Sequence, residues 1–116
     1  MSTTSVTDDI DPRVARELWS SFVSLIRSYT AAHGLNGSRQ AVLEVSADHL
    51  LVRAGERLLT IRFDGERGSF IRETGPATDF TFDEHGRVAL HSGSEGPGNP
   101  EEMDMVAERL AREIMR

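Results

Sequence analysis

Four histidines, His33, His49, His85 and His91, are the side chains in this chain best suited to bind a metal or to move a proton. Their spacing does not bring them together. No two stand four residues apart, so no turn of helix could aim a pair at one ion, and no carboxylate completes an obvious cluster around them. The reading is scattered surface histidines, with no metal and no cofactor. Asp83 and His85 flank one turn, where an aspartate accepts a hydrogen bond from the backbone two residues on.

The remaining chemistry is narrowed by what the chain lacks. It has no cysteine, so disulfides, thiolate zinc sites and cysteine nucleophiles are excluded. All 13 basic residues are arginine, so neither a Schiff-base lysine nor a P-loop lysine can be built. Serines are common, but none sits in a G-x-S-x-G pattern and none has a base close by in the sequence. Residues 92–99, rich in Gly, Ser and Pro, precede a helix pattern as a phosphate-binding loop would. They carry no Walker or dinucleotide pattern, and Glu101, Glu102 and Asp104 would put negative charge where the anion should sit. Catalysis is therefore unsupported, and the expectation is a non-catalytic protein.

A net charge of -6 with no basic tract repels phosphate backbones, so nucleic acid is not an expected partner. The first residues offer no basic stretch and no apolar stretch of the kind a signal peptide needs, and no apolar run approaches a membrane span. The expectation is a cytoplasmic protein that does not engage membranes.

The elements follow from hydrophobic period. Residues 1–10 are polar and aperiodic and read as a disordered tail; residues 11–116 form one α+β domain. Asp11 and Pro12 start a helix that should run to about His33, with Gly34 as a left-handed cap. Its apolar positions, from Val14 and Ala15 through Trp19, Phe22 and Ile26 to Tyr29, span roughly 140° of the helix surface, more than one sheet contact needs. Residues 41–91 alternate with period two and break at turn signals into about six strands.

Demanding that apolar residues share a face places Val45 opposite Leu50, Val52 opposite Leu59 and Phe82 opposite Val88. Phe70 falls beside Leu59 or Ile61. A three-residue loop, 84–86, has Gly86 in the left-handed position. Residues 74–77 should interrupt the meander and set the last two strands apart. Asn99 as cap, Pro100, Glu101 and Glu102 should open a final helix with the stripe Met103, Val106, Ala107, Leu110 and Ile114. The fold expected is an antiparallel meander of about six strands with the N- and C-terminal helices packed on one face, in α-β6-α order.

The same registers define the outer face. It carries Val42, Leu51, Leu58, Thr60 and Ile71, with Glu44, His49, Arg53 and Arg62 around them. A solvated antiparallel face should be mostly polar, and this mixture suits a protein–protein surface. The candidate interface is Val42, Leu51, Arg53, Leu58, Thr60, Arg62 and Ile71, and the expected partner is a protein or a second copy, as a homodimer. The alternative is a small-molecule binder or an enzyme with a pocket between helices and sheet, lined by Trp19, Tyr29 and the phenylalanines.

The helix–meander–helix order is similar to that of frataxin-like iron-handling proteins, but the likeness covers order only. The first helix has Glu17 and no acidic ridge, and the single tryptophan, Trp19, lies in that helix and not on the sheet. In size and charge the chain also resembles acidic chaperones of secretion systems, which usually carry a helix within the strand run; none is predicted here. Neither likeness assigns the chain.

Overall fold

The computed structural model describes residues 11–36, 41–91 and 99–115. The reading of residues 1–10 as a tail lies outside them, as does all of the connector at 92–99 except Asn99. Helix α1 (Pro12–Asn36) leads into strands β1 (Ala41–Val45), β2 (His49–Ala54), β3 (Arg57–Phe63), β4 (Arg67–Arg72), β5 (Thr78–Phe82), β6 (Arg87–His91) and β7 (Glu101–Glu102), and helix α2 (Met103–Met115) closes the chain. The seven strands form one antiparallel sheet in sequence order, and both helices lie on the same side of it. Among the described residues no helix is long and apolar enough to cross a membrane.

Local chemistry explains the element ends. Asp11 caps α1: its carboxylate accepts from the Arg13 amide at 2.8 Å and its carbonyl from the Ala15 amide at 2.9 Å. The β1–β2 hairpin closes with the Ser46 amide on the His49 carbonyl at 2.9 Å. Asp64 accepts from the amides of Glu66 and Arg67, each at 2.9 Å, and so shapes the β3–β4 turn. Asp83 does the same for His85 and Arg87, and Gly86 takes the left-handed conformation (φ 77°) that closes the three-residue loop.

The registers match the apolar alternation. Val45 lies opposite Leu50, Val52 opposite Leu59, Ile61 opposite Phe70 and Phe82 opposite Val88. Leu50, Val52, Ile61, Phe80 and Val88 are completely buried. Phe22 of α1 meets the rings of Phe70, Phe80 and Phe82 at 6.1, 5.7 and 5.9 Å, and Trp19 stacks on Phe63 at 5.4 Å. These rings are each at most 4 % exposed and fill the space between helix and sheet.

The broad apolar face of α1 has two partners, the sheet and α2. Tyr29 donates to Asp104 at 2.5 Å and His33 stands 3.4 Å from Glu108, so the helices advance in the same direction along their contact. Arg72 of β4 reaches the Glu113 carboxylate of α2 with two hydrogen bonds, 2.5 and 3.0 Å, fastening the far end of α2 to the sheet.

Three details differ from the sequence reading. Helix α1 continues through Gly34 to Asn36 rather than stopping near His33, because packing of Tyr29, Thr30 and His33 holds its last turns. Residues 74–77 do not set β5 and β6 apart: Phe70 pairs with Thr78, and Phe70 stacks on Phe80 at 4.6 Å, which keeps the sheet continuous. Glu101 and Glu102 are not the first turn of the last helix. They form β7, paired to Val88 and Arg87, and α2 begins at Met103. There they satisfy part of the β6 edge, while the Glu101 carboxylate binds Arg109 at 2.9 and 3.1 Å.

Candidate functional site

The side of the sheet away from the helices carries all seven residues expected at the interface. Strand pairing arranges its residues in rows. One row runs Glu44, Leu51, Thr60, Ile71; the next runs Val42, Arg53, Leu58. Six of the seven residues expected at the interface lie in these two rows. Arg62 belongs to the row on the other side of Thr60, with His49, Ser69, Asp79 and His91. Val42 is 58 % exposed and Ile71 38 %, whereas Leu51, Leu58 and Thr60 are half-buried by their neighbours. Arg53 and Arg62 are exposed. The result is a small aliphatic patch centred on Thr60, with charge at its margins. At one margin Glu73 accepts from the Leu58 amide at 3.1 Å, and this bond holds its carboxyl below the usual glutamate range.

The row with Arg62 is polar throughout. Ser69 donates to Asp79 at 3.0 Å, and the Thr81 hydroxyl lies 3.1 Å from His91 Nε2. A shallow groove of about 420 Å³ lies at its β2–β4 end and presents Asp48 and Asp64 beside Arg62 and Arg67, so neither sign of charge dominates.

One local arrangement corrects the sequence reading, which gave no serine a nearby base. Ser46 Oγ lies 3.3 Å from His49 Nε2, and His49 Nδ1 lies 3.2 Å from Asp48 Oδ1. The connectivity is that of a serine–histidine–aspartate relay. The environment is different: in a working relay the aspartate is buried and locks the imidazole, but the Asp48 side chain is 71 % exposed. These contacts are hairpin-turn chemistry. The other histidines are dispersed, His33 beside Glu108 and His85 beside Glu84. Among the described residues no group of three or more His, Cys, Asp or Glu could hold a metal.

Among the described residues one sizeable cleft is not between the helices and the centre of the sheet. It lies at the sheet margin, where Ser24, Arg27, Ser28 and Ala31 of α1 face Leu43 and Val45 of β1, and encloses about 920 Å³. Sequence reasoning missed it. The alternation places Leu43 and Val45 on the helix-covered face, but Val45 is 49 % exposed because β1 is the outermost strand and the cleft separates it from α1. No pattern in the residues announces which strand will be an edge.

No protein-family model matches the chain, and neither a curated protein nor a solved structure matches it.

Proposed function

We propose that the chain is a non-catalytic protein–protein interaction module whose docking surface is the open face of the sheet, and that it works as a homodimer. The observation that carries the reading is the aliphatic group Val42, Leu51, Leu58 and Ile71 around Thr60, on the side of the sheet that neither described helix covers. Aliphatic side chains gathered on a water-facing sheet gain free energy when a partner covers them, and the flanking Arg53 and Arg62 suit the rim of such a contact. The alternative, a ligand pocket between helices and sheet, meets a space filled by Trp19, Phe22 and the sheet phenylalanines.

The test is affinity capture from the source organism with the native chain and with Leu58→Glu and Ile71→Glu, read by mass spectrometry. Circular dichroism confirms that the variants fold. A protein captured by the native chain and lost with both variants supports the reading. Partners retained at undiminished yield by both folded variants refute it.

A further inference from the structure

We propose that a second copy of this chain docks antiparallel along the free edge of β1, with the two-fold axis at Leu43, so that two seven-stranded sheets become one. This goes beyond the docking face: it names where self-association occurs and leaves Leu51, Leu58 and Ile71 uncovered.

The two edges of the sheet are treated differently. At one end, β7 pairs with the start of β6 and leads into α2. At the other, no described residue pairs with the outer side of β1. Its sequence, Ala41, Val42, Leu43, Glu44, Val45, holds two β-branched valines and no proline or glycine, and its one charge is Glu44. Antiparallel hydrogen bonding alternates along a strand. Ser46 donates to His49 across the hairpin, so Ser46, Glu44 and Val42 turn their backbone groups toward β2. Ala41, Leu43 and Val45 therefore turn theirs outward, unsatisfied by any described strand.

Centring the pair on Leu43 uses all three. Leu43 meets the partner's Leu43, and Ala41 meets the partner's Val45, so the half-exposed apolar side of β1 is covered. On the other side Val42 faces the partner's Glu44, with Arg53 next to Val42 in the same row. Glu44 and Arg53 have no ion pair among the described residues, and this register brings each within side-chain reach of its opposite charge, twice by symmetry. Centring on Glu44 instead would set two carboxylates directly opposite each other. The surface is thus self-complementary in backbone groups, shape and charge, as a two-fold contact requires. On the helix side the α1 wall of the marginal cleft is made of the small residues Ser24, Ser28 and Ala31 with Arg27, which leaves room for the partner's strand.

Light scattering on the purified chain tests the proposal. The native protein should have twice the chain mass of 12.8 kDa at about 100 µM. Val45→Pro removes an outward N–H without touching the β1–β2 bonds and should give monomer with an unchanged circular dichroism spectrum. Glu44→Arg should weaken the dimer about tenfold or more. The double variant Glu44→Arg with Arg53→Glu should restore it, an outcome that does not depend on the proline variant folding. Leu58→Glu should leave the dimer intact, which separates this contact from the docking face. A monomeric native protein, a dimer indifferent to Glu44→Arg, or a dimer dissociated by Leu58→Glu and not by Val45→Pro overturns the proposal.

Discussion

Replacing Gly68 by alanine adds one carbon and should cost a large fraction of the stability of this fold. Gly68 is buried in β4, between Phe63 on β3 and Phe80 on β5 in one row of the helix-covered face. The Phe80 ring lies directly over it. A Cβ at Gly68 would stand 2.0 Å from Phe80 Cζ, 2.2 Å from Cε1 and 2.7 Å from the Arg62 carbonyl oxygen, where ordinary contact begins at 3.4 Å. The ring must move by more than an ångström, and it has nowhere free to go. Phe80 is completely buried, stacked on Phe70 at 4.6 Å and set edge-on to Phe22 at 5.7 Å and Phe82 at 5.5 Å.

Overpacking of this kind costs about 1–3 kcal/mol, and disturbing the Phe70 stack adds about 0.5–1.5 kcal/mol. Alanine recovers about 0.5–1 kcal/mol of backbone entropy. The net is a destabilisation of roughly 2–3 kcal/mol, or about 8–12 °C in Tm for a domain of this size. Thermal unfolding followed by circular dichroism measures it. Combining Gly68→Ala with Phe80→Leu, which shortens the obstructing ring, should cost less than the sum of the two single changes. A Gly68→Ala chain that melts at or above the native temperature, or strict additivity in the double variant, would refute the reasoning.

Two further changes probe other parts of the fold. Phe22→Ala removes the ring that bridges Phe70, Phe80 and Phe82 and should lower stability by about 3–5 kcal/mol. The urea midpoint reads this, and a loss under 1 kcal/mol would mean that the aromatic cluster does not hold α1 to the sheet. Asp64 is held below its ordinary value of 3.8, first by the Arg67 amide and then by that of Glu66. A lowered folded pKa means that its contribution is complete above the unfolded value and is lost as pH falls through the folded one. The stability gap between the native chain and Asp64→Asn should therefore be widest above pH 3.8 and close on further acidification. A gap independent of pH across that range would show that the charge plays no part.

The alternation of residues 41–91 determined the sheet face by face, because a strand's side chains alternate with a period of two and only one registration puts Leu50, Val52, Ile61, Phe80 and Val88 inside together. Asp11, Asp83 and Gly86 were likewise legible, since each acts on backbone within a few residues of itself. The membership of the outer face followed from the same parity, and with it the candidate residues Val42, Leu51, Arg53, Leu58, Thr60, Arg62 and Ile71. What the residues did not disclose depends on neighbours distant in sequence. Glu101 and Glu102 carry a helix-start pattern and become a strand because an open β6 edge lies beside them. Gly34 looks like a stop and stays helical because α2 supports the turns before it. Gly68 gave a faint signal, a glycine inside a strand pattern, but only the packed sheet shows that it makes room for Phe80. The free edge of β1 and the cleft beside it are properties of the assembled sheet alone, since a strand becomes an edge only when no other strand arrives to pair with it.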